Sequence, residues 1–301
     1  MEVSQFMLTI RTDLAAEAHT LWRESSGQTT KLSGVRARDQ VVEGFPVNRV
    51  DILEEEGERA LGKPRGLYLT LDLSGYWRRE ADSFPRAVNA VAALLEPLLP
   101  EEGPVLAAGL GNAAMTADAL GPQTIAHLLV TRHLEKVLPM LRPVSALAAG
   151  VLGTTGIEVA EWVRGVSEHV KPAAVVLVDA LAARDLNRLC STVQFSDTGL
   201  IPGSGVGNHR MPLNRETLGI PVISIGVPTV VDAATVARDI LAEAGRGEGE
   251  PSALHGKGKN LFVTPDSIDA KVRDLAKVLG YGISMALQPG LEMEDLTALL
   301  E

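Results

Sequence analysis

The stretch GPVLAAGLGNAAMTADALGP, residues 103–122, decides how the chain is read. Its apolar run VLAAGL carries no polar alternation, which is the pattern of a strand buried on both faces. Gly111-Asn112 ends the run, and a helical pattern begins just after Asp118. A single carboxylate therefore stands at the lip of a strand–turn–helix unit. Three uses suit it: a bystander to a phosphate cradle, a helix cap, or one half of a catalytic pair.

The same texture recurs on either side. AAVVLVDAL (173–181), STVQFSD (191–197) and IPVISIGV (220–227) read as strands. DALGPQTIAHLLVTRHL (118–134), TTGIEVAEWVRGVSEHV (154–170), DAATVARDILAEA (232–244) and PDSIDAKVRDLAKVLGYGISMAL (265–287) read as helices, followed by a short helical tail. Nearer the start, TDLAAEAHTLWRE (12–24) is a predicted helix with Thr12 or Asp13 as its N-cap. VVEGFPVNRVDIL and GLYLTLDLSGYW supply two or more strands, and DSFPRAVNAVAALLEPLL is an amphipathic helix stopped by Pro100. Doubly apolar strands alternating with helices predict an α/β fold whose mainly parallel sheet is covered by helices on both faces. The polar, glycine-rich residues 245–260 read as an exposed loop.

Composition narrows the function classes. The chain has 301 residues, 46% hydrophobic and 22% charged, with a net charge of −10. Such an acidic balance disfavours a direct grip on nucleic-acid phosphates, and an aromatic content of 4% disfavours a base-stacking platform. One cysteine, Cys190, excludes an intramolecular disulfide and suits a reducing cytoplasm. The first residues lack the basic-then-apolar pattern of a signal peptide, and no run is long and apolar enough to span a bilayer, so no membrane role is expected.

Several motifs carry candidate chemistry. GLGNAA (109–114) fits the glycine fingerprint of a dinucleotide-binding turn, but the acidic residue expected about 20 positions later is missing. Asp118 and Asp179 each follow a buried strand. If those strands are parallel neighbours, both carboxylates reach one sheet edge, where open α/β sheets bind ligands. Two facing carboxylates share a proton, so that one activates water while the other polarises a carbonyl; the competing reading is two separate caps. TVQFSDTGLIPGSGVGNHR (192–210) is a glycine-rich loop in which Asp197, Gly205, Asn208 and His209 are candidate substrate-site residues, as is Asn112. Thr229 and Asp232 read as caps, with a place facing the crevice as the alternative, and Thr155-x-x-Glu158 reads as a capping box. The histidines show no metal-ligand spacing, and no metal or cofactor is expected. Cys190 reads as a packing residue.

Taken together, "RTDLAAEA", "GLGN…TADALGP", "LLVTRHL", "RPVSALAAGVLGTTGIE", "VDALAAR", "SDTGLIPGSGVGNHR" and "LGIPVISIGVPTVVDA" resemble the germination proteases of spore-forming bacteria over nearly the whole chain. That resemblance implies a three-layer sandwich with a mixed sheet between helices, similar to hydrogenase maturation proteases, with a small β-containing subdomain, here near residues 35–80. It implies an endopeptidase of small acid-soluble spore proteins, made as a homotetrameric zymogen in the spore core. It places an aspartic-type pair on Asp118 and Asp179, and self-cleavage between Asp13 and Leu14. Residues 1–13 are then a propeptide and 14–301 a single peptidase domain. The family's substrates are cut after an acidic residue followed by an apolar residue and alanine, which Asp13-Leu14-Ala15 matches. Ala117 stands where the family often has proline. The alternatives are a metal-assisted hydrolase, with Asp118, Asp179 and His209 as ligands, and a nucleotide-binding module built on GLGNAA.

Overall fold

A computed structural model describes residues 12–26, 32–204, 210–244 and 261–300 of the chain. Nine strands form one mixed sheet among these residues: β1 (Val35–Val42), β2 (Phe45–Ile52), β3 (Gly66–Asp72), β4 (Val105–Leu110), β5 (Val144–Gly150), β6 (Ala174–Ala183), β7 (Thr192–Ser196), β8 (Val222–Asp232) and β9 (Phe262–Val263). Their order is β1-β2-β3-β7-β8-β6-β4-β5, with β9 on β8. β8, β6, β4 and β5 are parallel, whereas β1, β2, β3 and β7 extend the sheet by antiparallel pairing.

Side-chain alternation along the central strands builds a layer on each face. Val105 and Ala107 of β4, with Val176 and Val178 of β6, pack toward the helices Ser83–Leu95 and Ile268–Leu287. Leu106, Ala108, Val175 and Leu177 face the other way, onto the helix Val159–Val170. The helix Ala15–Ser26 covers Val50, Ile52 and Tyr68 further along. The expected α/β sandwich is therefore present, with a mixed sheet.

Local departures have physical causes. The helix expected over 118–134 spans only Leu120–Ile125. Beyond it, Leu129 N–H donates to Ser284 Oγ and Thr131 N–H to the Val144 carbonyl, so tertiary partners replace the carbonyls four residues back. The expected helix 154–170 begins at Val159, after a separate turn, Leu152–Thr155. Glu158 N–H bonds to the Glu161 carboxylate, so the capping interaction lies one turn later than Thr155-x-x-Glu158 predicts. The helix Ser83–Leu95 ends before Pro100, in a 3-10 turn holding Pro97. Strand β5 was absent from the sequence pattern because VSALAAG is small-residue rich and lacks β-branched alternation.

One departure shapes the site. The strand carrying Asp179 does not turn there but runs on to Ala183, because β8 pairs with it as far as Ala183↔Val231. On its other side, pairing with β4 ends at Gly109↔Val178. Asp179 is thus the first residue of β6 past the end of that pairing.

Candidate functional site

The order β5-β4-β6-β8 means that the chain moves outward from β4 to β5, then returns past β4 to β6. The carboxyl ends of β4 and β6 flank that reversal, which is where open α/β sheets form a ligand crevice. A cavity of about 750 Å³ opens there, and Asp118 and Asp179 both line it.

Asp118 follows β4 on a 3-10 turn, Thr116–Asp118. Its Oδ2 accepts from Asn112 N–H at 2.7 Å. Thr229 Oγ1 of β8 donates to the Ala117 carbonyl at 2.6 Å, and Thr116 Oγ1 donates to Asp269 Oδ1 at 2.7 Å, so the turn is braced from two directions. Gly111 makes the close approach possible: its φ is +110°, and a Cβ there would lie 2.0 Å from the Asp118 carbonyl oxygen. Gly121 does the same for the following helix, where a Cβ would lie 2.3 Å from the Leu110 carbonyl.

Burial dominates the electrostatics. Asp179 is only 6% exposed. Loss of hydration, and then the neighbouring Asp118 charge, hold its carboxyl well above the usual carboxylate range. Asp118 is half-buried and shifts upward for the same first reason, opposed by the Asn112 N–H and the Arg210 guanidinium. Arg210, which lines the cavity, also opposes the rise at Asp179. Two carboxyl groups in one crevice, one much drier than the other, with a guanidinium lining the same cavity, suit acid–base chemistry.

The same cavity holds part of the chain itself. Asp13 lines it, and its main chain and side chain both bond to β6: Asp13 N–H donates to the Ala182 carbonyl at 2.9 Å, and Ala182 N–H donates to Asp13 Oδ2 at 2.9 Å. Ser204 Oγ donates to Asp13 Oδ1 at 3.0 Å. Leu14 is fully buried with Ala183, Leu189 and Val231. Glu17 accepts from Thr12 Oγ1, Arg184 N–H and Asp185 N–H, which ties the segment to the end of β6. Lys63 Nζ donates to the Thr12 carbonyl at 2.9 Å; burial lowers its pKa, against the pull of Asp13 and Glu17. Asp13 is therefore not the cap of the helix Ala15–Ser26; Thr12 Oγ1 accepts from Leu14 N–H instead.

Two of the other candidates, Asn112 and Asp197, do not line the crevice. Asn112 contributes its N–H to Asp118, while its side chain accepts from Ala114 N–H in a local turn. Asp197 accepts from Leu67 N–H at 2.8 Å and joins β7 to β3. Gly205, Asn208 and His209 lie outside the described residues, as do residues 1–11 of the expected propeptide. Asp232 caps the helix Ala233–Glu243 through Ala234 and Thr235 N–H. Cys190 is buried, and its thiol is pushed up to about 11 by that burial, as a packing residue requires.

Neither alternative chemistry is favoured. In GLGNAA, the Asn112 N–H that would meet a phosphate is taken by Asp118, and Gly111 serves the approach of that turn. Among the described residues, no three His, Cys, Asp or Glu side chains come together as a metal set. Gln194, only 8% exposed, is the residue that sequence reasoning passed over. Its one signal is a polar side chain between Val193 and Phe195, which alternation turns away from the apolar face.

The chain is similar to known proteins over most of its length. A family model described as germination protease matches residues 15–245. A germination protease of Clostridium perfringens is 42% identical over 326 residues, 98% of this chain and 100% of that one. That of Caldanaerobacter subterraneus subsp. tengcongensis is 42% identical over 325 residues, 98% of this chain and 99% of that one. That of a Geobacillus species is 37% identical over 361 residues, 96% of each. Among solved structures, the [NiFe] hydrogenase maturation protease HycI from Thermococcus kodakarensis KOD1 is similar with a TM-score of 0.37 and 19% identity, over 65% of this chain and 99% of that one.

Proposed function

The chain belongs to the germination protease family and is a peptidase, and from that premise we propose that it is a self-processing endopeptidase whose Asp118 and Asp179 act as a pair on the Asp13–Leu14 bond. In this reading Asp179, the drier group, holds the shared proton. Asp118, held by Asn112 N–H and facing Arg210, is the ionised base. Asp118 takes a proton from water as the water oxygen adds to the Asp13 carbonyl carbon, and Asp179 donates its hydrogen bond to the developing oxyanion. On collapse, the proton on Asp118 passes to the Leu14 nitrogen, the C–N bond breaks and Asp179 keeps its proton.

The observation that supports this reading is the shared cavity: both carboxyl groups and the acidic residue before the bond line one crevice at the sheet's reversal. Residues 1–13 are then the propeptide. In trans, the substrates are the small acid-soluble spore proteins, cut by a homotetramer in the spore core.

The test is self-cleavage of the purified full chain at mildly acidic pH, where the singly protonated pair is favoured. The parent yields a new N-terminus at Leu14, while Asp118→Asn and Asp179→Asn yield none. A Leu14 terminus from either variant at the parental rate removes that residue from the mechanism.

A further inference from the structure

The backbone around the Asp13–Leu14 bond is gripped at two points by one side chain. Gln194 Nε2 donates to the Asp13 carbonyl at 3.0 Å, and Gln194 Oε1 accepts from Ala15 N–H at 2.7 Å. A carboxamide has both a donor and an acceptor, so it can satisfy a carbonyl and an amide that lie two residues apart. Ala15 opens its helix, so its N–H has no carbonyl to bond within that helix. The contact with Gln194 is what pairs it.

Gln194 is aligned with the catalytic candidates by sheet register. It pairs with Gly226 of β8, and Gly226 pairs with Asp179 of β6. The three therefore form one row across neighbouring strands, and residues in a row share a face. Gly226 has no side chain, and Leu181 leans over it: a Cβ on Gly226 would lie 2.4 Å from Leu181 Cδ1. Leu181 in turn packs with the cluster that buries Leu14.

We propose that Gln194 is the substrate-positioning residue of this peptidase, reading the main chain on both sides of the bond to be cut: the carbonyl of the residue before it and the amide of the second residue after it. The inference rests on the reading of residues 13–15 as the cleavage segment. It goes beyond that reading because it assigns recognition to backbone groups that any substrate segment carries. The Asp13 carbonyl has two lone pairs; Gln194 holds one and leaves the other for Asp179. A segment with proline as the second residue after the cut has no N–H to offer and is rejected.

The rate of appearance of the Leu14 terminus is measured from pH 7 to pH 5 for the parent, Gln194→Met and Gln194→Glu. Gln194→Met cuts about tenfold or more slowly at every pH, having lost both contacts. Gln194→Glu is nearly isosteric. Its ionised carboxylate can accept from Ala15 N–H but cannot donate to Asp13, whereas its protonated form restores both bonds. Its rate relative to the parent therefore climbs toward one as pH falls, a response that a residue serving only sheet packing does not give. A Gln194→Met rate equal to the parent's, or a Gln194→Glu ratio flat with pH, overturns the proposal. Amide hydrogen exchange supplies a readout independent of chemistry: Ala15 exchanges about tenfold faster in Gln194→Met while Val193 and Phe195 stay protected. Unchanged Ala15 exchange overturns the clamp. A parent chain that never yields a Leu14 terminus overturns the proposed function instead, and exchange still decides the clamp.

Discussion

Replacing Leu14 by alanine tests whether residues 12–17 are a docked segment rather than part of the core. The Leu14 side chain is fully buried among Ala183, Leu189 and Val231, with Leu181 and Val236 at the margin. The substitution removes three carbons, worth about 0.8 kcal/mol each, or about 2.4 kcal/mol in all. A residual cavity would raise the loss within the roughly 2–5 kcal/mol seen for such truncations. The loss falls on docking and not on global folding, because the segment's hydrogen bonds to the rest of the chain run to the end of β6 and the two residues after it, to Lys63, to Gln194 and to Ser204, and leave the central pairing of β4, β6 and β8 untouched. The docked fraction then drops about 60-fold relative to the open form, since each 1.36 kcal/mol is tenfold. Hydrogen exchange of the full chain, read by mass spectrometry on a fragment covering residues 12–19, measures this directly. The protection factor of the Ala15 amide should fall by that factor, with β6 and β8 unchanged. A fall of less than about threefold, or an equal loss across the central strands, would refute local docking.

Two further outcomes follow from the same site. Asp179 carries a raised pKa in the folded chain, so the native state binds its proton more tightly than the unfolded state does. Stability then declines as pH rises from the ordinary carboxylate range toward the native value, by about 1.4 kcal/mol per pH unit over that window. Asp179→Asn, which cannot ionise, should melt above the parent at pH 7 and show no such advantage near pH 3.5; an equal difference at both values would contradict the assigned cause. Gly111→Ala places a Cβ 2.0 Å from the Asp118 carbonyl at a φ of +110°. The turn must shift, and self-cleavage should fall about a hundredfold, the scale attached to a 1 Å misplacement, while the chain stays folded by circular dichroism. Parental self-cleavage in that variant would show that the Asp118 turn tolerates displacement.

The central architecture was legible because β4, β6 and β8 are continuous apolar runs separated by glycine and by helical periodicity, and that pattern has one compact solution. That Asp118 and Asp179 line one crevice was legible for the same reason: each follows such a run, and parallel neighbours bring their carboxyl ends to one edge. What could not be read was anything set by lateral strand order. Asp197 and Asp179 look alike in sequence, each a carboxylate after a strand. The antiparallel placement of β7 beside β3 gives Asp197 the Leu67 N–H and a structural duty. Asp13 reads as a helix cap as well as a cleavage residue because cap and docking residue share a residue type, and its bonds to Ala182 and Ser204 decide against the cap. Gln194 is one of three polar residues in a five-residue strand, and nothing near it in sequence announces a partner 181 residues away.

Strand β8 explains why these parts stay aligned. It pairs with β6, with β7 and with β9, so it is the one strand that touches both sides of the row Asp179–Gly226–Gln194. From the same strand, Thr229 reaches the Ala117 carbonyl and braces the turn that carries Asp118. The two acidic side chains and the carboxamide are thus all referenced to one backbone, whose register is fixed by burial on both faces. A slip of one residue would turn Gly226 away and expose buried apolar groups all along the strand, at a cost far above that of any single contact in the site. Positioning at this crevice is therefore a property of sheet register, and the residues that define it are held by interactions made well before any substrate arrives.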